Sequence, residues 1–241
     1  MLTSKQPYNF KAGTLLLVDK PLDWTSFDVV NKIRYALKQK LNIKKIKVGH
    51  AGTLDPRATG LLLICTGKFT KKLNELQGMP KTYTGTLKLG ESTPSYDSES
   101  EPDETFPTEH ITEELLEEAR QQFLGDIDQF PPMFSAIKVD GKRLYKSARM
   151  GIKVELKSRP VHIFQFDTPA IRMPEVDFIV TCSKGTYIRS LAHDYGKAVR
   201  SGGYLTALRR TAIGDYQLAD AWNLEELIEH IQNCEVPEES D

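Results

Sequence analysis

The chain has 241 residues, 39% of them hydrophobic and 27% charged, with 32 Lys and Arg against 33 Asp and Glu for a formal net charge of -1. That balance excludes a disordered or fibrous chain and fits a globular protein of one sizeable domain, or one with an appendage. Cys65, Cys182 and Cys234 are far apart with no C-x-x-C spacing, and no apolar run approaches the ~20 residues that span a bilayer, so a disulfide framework, a zinc ribbon and a membrane span are all unsupported and a cytoplasmic protein is expected.

The small net charge conceals segregation along the chain. Residues 1–72 carry 14 Lys and Arg against 4 acids, 138–159 carry 8 against 2, and 184–210 carry 6 against 1. Residues 91–118 hold 11 acids and 215–241 hold 9, neither stretch with any Lys or Arg. If the fold gathers the basic stretches on one face, that face attracts phosphates. Cations that merely solvate exposed helices account for any single run equally well.

In chain order, residues 13–19 read as a buried strand that Lys20-Pro21 ends, because proline cannot donate to a ladder. A basic amphipathic helix follows, with Thr25 or Ser26 as its N-cap and Val29, Val30, Ile33, Leu37 and Leu41 at helical spacing. Short strands over 47–50 and 61–65 flank a turn, 68–76 reads as a helix, and 82–89 is β-rich. Residues 91–108 are acidic, rich in Ser and Pro and almost without large aliphatics, which predicts a long exposed loop. Thr112 caps a helix over 113–124 that buries Leu115, Leu116, Ala119 and Phe123 and stops at Gly125. Asp140-Gly141 is a two-residue hairpin signal, strands return over 158–168 and 175–182, and helices are expected over 185–199 and 224–231. Strands and helices mix without regular βαβ alternation, so the expected class is α+β with a largely antiparallel or mixed sheet, in a single domain over 1–241.

The chemistry concentrates in the turn. Residues 49–60 read Gly-His-Ala-Gly-Thr-Leu-Asp-Pro-Arg-Ala-Thr-Gly, and Asp55 is the only acid between Asp28 and Glu75. Glycines permit unusual backbone angles, Pro56 fixes the chain after the acid, and Lys47 and Arg57 surround it with positive charge, an arrangement that can hold a reactive carboxylate out of a rigid scaffold. An Asx-type turn in which Asp55 caps the next segment explains the local sequence equally. No G-x-G-x-x-G, P-loop, H-E-x-x-H or G-x-S-x-G motif is present. His50, His110, His162, His193 and His230 show no metal-ligand spacing, so a cofactor-free reaction is the simpler expectation.

Four stretches stand out together: Leu17-Val-Asp-Lys-Pro21 with Trp24-Thr-Ser26, the Asp55 turn, Lys81-Thr-Tyr83 with Leu89-Gly90, and Cys182-Ser-Lys-Gly-Thr-Tyr-Ile-Arg189. Through them the chain resembles the bacterial tRNA pseudouridine-55 synthases of the TruB family from about Gly13 to the final helix, and residues 129–138 and Leu208-Arg-Arg210 agree with the same pattern. The resemblance implies the α+β pseudouridine-synthase fold, with a mixed, largely antiparallel central sheet flanked by helices and loops. It implies an enzyme that isomerises one uridine in the T-loop of tRNA, with no metal or cofactor, no obligate protein partner and a monomeric state.

By the same resemblance Asp55, in Gly52-Thr-Leu-Asp-Pro56, is the nucleophile, attacking either C6 of uracil or C1′ of the ribose. Arg189 is implied to stand beside it and orient it, a task suited to a planar, always charged guanidinium. Tyr83 matches the family's active-site tyrosine, which can stack on the uracil and accept the C5 proton. His50, Tyr187 and Leu208 match positions that contact the nucleotide or its pocket. His50 is the expected wedge that fills the stack once the target base flips out, although a hydrogen-bonded turn histidine also fits its sequence. Lys20 and Pro21 match a K-P motif and are expected chiefly to support the site, with phosphate contact by Lys20 the lesser expectation.

Asp23 stands where the family usually has Gly and Phe134 where Tyr is usual, and neither departure is expected to touch the catalytic set. The chain ends soon after the last predicted helix, so no C-terminal PUA domain is expected and RNA grip falls to the catalytic domain, with a basic thumb-like insertion around 130–159 that includes Lys142 and Arg143. A module that binds or folds tRNA with the same face and does no chemistry is the alternative function.

Overall fold

The computed structural model describes residues 8–135, 138–139, 142–144, 154 and 156–235. In chain order the elements are β1 (Leu15–Lys20), α1 (Ser26–Lys40), β2 (Val48–His50) and β3 (Ala58–Thr66), then a 3-10 segment (Gly67–Lys72) that runs into α2 (Leu73–Gly78). β4 (Lys81–Leu89), the short β5 (Glu91–Ser92) and β6 (Glu104–Thr105), α3 (Glu113–Gln121) and β7 (Gly125–Gln129) follow, and then the pair β8 (Lys138–Val139) and β9 (Lys142–Arg143). The remainder holds β10 (Arg159–Arg172), β11 (Glu175–Cys182), α4 (Ile188–Ala198), β12 (Gly203–Ile213), β13 (Tyr216–Gln217), β14 (Trp222–Asn223) and α5 (Leu224–Asn233). The chain divides into two compact units, Met1–Lys81 with Arg209–Asp241 and Thr82–Leu208.

In the first unit the strand order is β14-β1-β3-β12, with β2 also on β3 and β13 on β12. β1 pairs antiparallel with β3 from Leu15↔Cys65 to Lys20↔Gly60 and parallel with β14 through Val18↔Trp222. β3 is buried on both faces, which explains its unbroken apolar run. Leu62 and Ile64 face a core shared with Val29, Val30, Ile33 and Leu37 of α1 and Leu227 and Ile231 of α5, while Leu61, Leu63 and Cys65 pack with Leu76 and Ile213. Thr25 caps α1: its hydroxyl accepts from the Asp28 amide while the Asp28 carboxylate accepts from the Thr25 amide. This reciprocal cap contributes about 1 kcal/mol. The helix expected over 68–76 is instead a 3-10 turn followed by the short α2. Its start is tied down by backbone bonds from Gly67 to Lys47 and from Lys68 to Ala12.

The second unit orders its strands β12-β4-β11-β10-β7, and residues 203–208 of β12 belong to it while 209–213 belong to the first. β10 pairs antiparallel with β11 down to Arg172↔Glu175 and with β7 from Arg159↔Gln129 to Ile163↔Gly125. The paired strands are therefore mixed and largely antiparallel, as expected. Phe123, just after α3, Phe166 of β10 and Tyr195 of α4 meet edge to face with centroids 5.3 to 6.5 Å apart. The Tyr195 hydroxyl donates to the Leu116 carbonyl at 2.9 Å, so the ring is buried with its polar end satisfied. β8 and β9 flank Asp140-Gly141 in the register Lys138↔Arg143 and Val139↔Lys142, the pairing a two-residue hairpin gives. Residues 136–137, 140–141, 145–153 and 155 of the expected thumb over 130–159, and the side chains of Lys142 and Arg143, lie outside the described residues.

The expectation of an exposed loop over 91–108 holds for 101–105, which are exposed, and fails over 92–97. Ser92, Thr93, Ser95 and Asp97 are 8%, 1%, 0% and 5% exposed. Small hydroxyl side chains bury here without apolar bulk because they bond locally: Thr93 Oγ1 donates to the Asp97 carbonyl at 2.8 Å, and Ser95 Oγ to the Asp97 carboxylate at 2.6 Å.

Candidate active site

Asp55 is half-buried in the connection between β2 and β3, a loop fixed in the first unit from several directions. Ser26, at the start of α1, both donates through Oγ to the Leu54 carbonyl (3.1 Å) and accepts from the Leu54 amide (2.8 Å). Lys20 is fully buried at the end of β1, its ammonium donating to the carbonyls of Pro21 (2.8 Å), Trp24 (2.6 Å) and Pro56 (3.4 Å). Burial pulls Lys20 down to about 8, with the charges of Asp55 and Asp23 acting in the opposite sense. The cation therefore supports the acid's loop from the interior and presents no surface to a phosphate. Asp23, at φ +63°, donates its amide to the Pro56 carbonyl and pairs its carboxylate with Arg57 at 3.0 Å. Asp is among the few residues other than Gly that tolerate this positive φ.

Arg210 closes the loop from the opposite end of the sequence. It is 1% exposed, with Nε on the Leu61 carbonyl at 2.8 Å and Nη2 on that of Gly52 at 3.1 Å. Gly60 sits at φ +103° because the backbone of Arg210 passes against it, where any Cβ would collide. His50 ends β2 half-buried, its Nδ1 buried and without a hydrogen-bond partner. Burial holds its imidazole below the ordinary value, opposed by the Gly52 backbone and reinforced by Arg210, so the ring is neutral at pH 7.

Within the second unit, Arg189 lies in the first turn of α4 and is 4% exposed. Its guanidinium donates to the carbonyls of Ser95 (3.1 Å) and Phe134 (3.0 Å), and its Nε stands 3.6 Å from the Asp97 carboxylate. A buried cation at a helix N-terminus opposes the helix dipole, and Asp97 offsets both that and the burial. The far oxygen of Asp97 accepts from Ser95 Oγ (2.6 Å) and the Glu99 amide (3.0 Å), so the carboxylate is held on several sides. The neighbouring Tyr187 is fixed by Gln129, whose side-chain amide accepts from the Tyr187 N–H at 2.7 Å and donates to its carbonyl at 3.0 Å, in the manner of a strand partner. Tyr83 is 8% exposed on β4, and Leu208 is half-buried on β12.

Lys20, His50 and Asp55 thus belong to the first unit, and Tyr83, Tyr187, Arg189 and Leu208 to the second. The backbone of Lys142 and Arg143 forms β9. Sequence reasoning missed Asp97, Ser26 as a loop anchor, Gln129 as the tether of Tyr187, and Arg210. It also placed Asp23 and Phe134 away from the catalytic set, whereas Asp23 grips the Asp55 loop and the Phe134 carbonyl holds Arg189. Among the described residues no group of His, Cys, Asp and Glu could hold a metal ion.

A family model for the TruB family pseudouridylate synthase N-terminal domain matches residues 38–188, and one for the tRNA pseudouridylate synthase B C-terminal domain matches residues 189–240. The chain is 59% identical over 227 residues to the tRNA pseudouridine synthase B of Flavobacterium johnsoniae, covering 94% of this chain and 99% of that one. It is 56% identical over 230 residues to the protein of the same name from Phocaeicola vulgatus, covering 95% and 98%. Among solved structures, a chain in the crystal structure of a Cbf5-Nop10-Gar1 complex superposes with a TM-score of 0.69 at 28% identity over 92% of this chain and 55% of that one, so the present chain spans about half its length. The expected fold is therefore the one found, and the chain belongs to the TruB family of pseudouridylate synthases.

Proposed function

We propose that this protein isomerises uridine to pseudouridine in tRNA, at position 55 of the T-loop, with Asp55 as the nucleophile. The near full-length match to proteins named tRNA pseudouridine synthase B carries this reading. It is supported by the carboxylate's place on a loop that Lys20, Ser26, Arg57 and Arg210 all restrain. An acid that must attack along one direction gains from such a mounting, because positioning set before substrate arrives adds nothing to the barrier in the transition state.

The chemistry balances without an oxidant or reductant. The N1–C1′ bond breaks, a C5–C1′ bond forms, C5 loses its proton and N1 gains one. Asp55 attacks the flipped nucleotide, at C6 of the uracil or C1′ of the ribose, and leaves when the base has turned and rejoined. Tyr83 stacks on the uracil and takes the C5 proton, Arg189 supplies fixed positive charge to the reacting centre, and Tyr187 and Leu208 line the nucleotide. His50 fills the gap the base leaves, and its neutral ring suits a stacked position. Lys20 acts by holding the loop, and Lys142 and Arg143 contact the tRNA backbone from a thumb in a single catalytic domain. The protein works on the T-arm as a cytoplasmic monomer without metal or cofactor. No helix among the described residues is long and apolar enough to cross a membrane.

Incubation with unmodified tRNA followed by pseudouridine mapping tests activity and position together. Asp55→Asn retains fold and tRNA binding and forms no product, since an amide keeps the shape of the nucleophile and removes its charge. Full product from that variant, or binding by the wild type without product, overturns the proposal.

A further inference from the structure

Two energetically costly features of the second unit meet beside Arg189. Tyr96 holds φ +63°, a left-handed angle that strains the backbone of a bulky residue. His193 keeps its Nδ1 buried with no hydrogen-bond partner. The two rings lie flat on one another, centroids 3.8 Å apart and planes 12° from parallel. Burial and Lys197 draw His193 down to about 4 against the charge of Asp103, so the ring in the stack is neutral at pH 7. A flat contact between neutral rings offsets part of both costs, and it is available only while Tyr96 keeps its unusual angle.

Both residues adjoin the grip on the guanidinium. Arg189 and His193 stand four residues apart on α4, so they project from one face of the helix, a turn apart. Tyr96 lies between Ser95, whose carbonyl accepts from Arg189 Nη1 at 3.1 Å, and Asp97, whose carboxylate stands 3.6 Å from Arg189 Nε. The peptide unit carrying the Ser95 carbonyl is planar, so rotation about the N–Cα bond of Tyr96 turns that carbonyl as a block relative to Asp97. One backbone angle therefore decides whether both acceptors meet the same guanidinium. The turn has two backbone ties, from the Tyr96 amide to the Thr93 carbonyl at 3.1 Å and from the Leu205 amide to the Tyr96 carbonyl at 3.0 Å. Both ties leave α4 aside, and the ring stack joins the turn to that helix.

We infer that Tyr96 and His193 are positioning residues for the proposed reaction: their stack locks the turn that presents Ser95 and Asp97 to Arg189, and so fixes the direction of the guanidinium that supplies charge at the reacting centre. The inference rests on the function proposed above. Backbone strain persists only where the surroundings over-determine it, and here it falls on the one residue that separates two acceptors of a buried cation. With the stack gone, Tyr96 relaxes toward an ordinary angle, the Ser95 carbonyl turns away, and the guanidinium keeps its charge but loses its aim. A stack that merely fills the core makes a different prediction, a lower melting temperature with an unchanged rate in the protein that stays folded.

The experiment measures single-turnover pseudouridine formation on unmodified tRNA by the full-length protein, with tRNA affinity and thermal melts in parallel. His193→Ala and Tyr96→Ala each lower the single-turnover rate roughly ten- to a hundredfold, the scale of a misplaced group remote from the reacting atoms, while tRNA affinity is unchanged. His193→Phe and Tyr96→Phe keep a flat ring and restore the rate. Where an alanine variant does not fold, His193→Leu or Tyr96→Leu fills the space without a flat ring and is read the same way. Arg189→Lys replaces the fork by a point charge, and adding His193→Ala to it lowers the rate little further, because a residue that acts through Arg189 has nothing left to aim. A wild type that forms no product sinks the proposed function and this inference with it. An active wild type whose folded alanine or leucine variants keep the full rate, or whose His193 and Arg189 losses multiply independently, sinks this inference alone.

Discussion

Asp97→Asn separates charge from shape at Arg189. Both side chains are almost fully buried, and the substituted amide retains an oxygen able to accept from Ser95 Oγ and the Glu99 N–H while the guanidinium loses the carboxylate 3.6 Å from its Nε. Removing one partner of a buried ion pair costs about 3–5 kcal/mol. A separation of 3.6 Å is longer than the ~2.8 Å of a strong charge-assisted bond, which places the cost near the lower limit, about 3 kcal/mol. With roughly 2–4 °C of Tm per kcal/mol for a chain of this size, Asp97→Asn melts about 6–12 °C below the wild type. Arg189→Met in the same background removes the charge that Asp97 faces, so the double variant is more stable than the sum of the singles by about 0.5–3 kcal/mol. Circular-dichroism melts of all four proteins at pH 7 close the cycle, and single-turnover pseudouridine formation on the folded variants reports the loss of a fixed Arg189. A drop below about 2 °C for Asp97→Asn, together with strict additivity, refutes the assignment of Asp97 as the counter-charge.

Three further outcomes concern Lys20, His193 and Thr25. Lys20, held to about 8, is an ammonium with its full set of donors below that pH and a weaker donor without charge above it, so pseudouridine formation falls as pH rises through about 8. Its stability contribution has the opposite sign: between about 8 and the ordinary lysine value near ~10.4 the unfolded chain holds the extra proton and stability from this group rises. A rate profile flat to about pH 9 contradicts the assignment. His193, stacked on Tyr96 with centroids 3.8 Å apart, is lowered to about 4 by burial and by Lys197. From its ordinary value near ~6.5 down to about 4 the unfolded chain takes a proton that the native ring refuses, so stability is lost over that window, and His193→Phe flattens that part of an acid titration of Tm. Thr25→Ala removes the α1 cap at a cost of about 1 kcal/mol, a fall of about 2–4 °C that Thr25→Ser restores; an unchanged melt refutes the cap's contribution.

The elements legible in the sequence are those whose pattern has one physical cause. The spacing of Val29, Val30, Ile33 and Leu37 marks α1 because a single face is buried, and the run from Leu61 to Cys65 marks β3 because both faces are. Asp55 is visible because an acid stands alone among glycines and cations. What stays hidden depends on contacts between residues far apart in the chain. Arg210 reads as one more basic residue until it reaches Gly52 and Leu61. Asp97 lies in a stretch whose composition argues for solvent, yet the bonds among Thr93, Ser95 and Asp97 let that polar segment be buried. The available signal is the pair of hydroxyls two and four residues before an acid, which can satisfy one another internally. Helix α4 begins three residues later than its sequence pattern predicts because Gly185, at φ +86°, and the Thr186 hydroxyl on the Ser183 carbonyl shape a turn before Ile188.

The braces of the Asp55 loop differ in when they become available to a growing chain. Lys20, Ser26 and Asp23 lie close before it, and β1, α1 and β3 close on one another over short sequence distances. Arg210 meets Leu61 and Gly52 across 149 and 158 residues of sequence, after the whole of the second unit has been made. A nascent chain can therefore pair β1 with β3 and shape the loop early, yet it completes the restraint only when β12 arrives and the long loop is closed. Strand β12 thus serves as a completion step: a chain released short of it carries the reactive carboxylate on a loop that is drawn but not yet fastened.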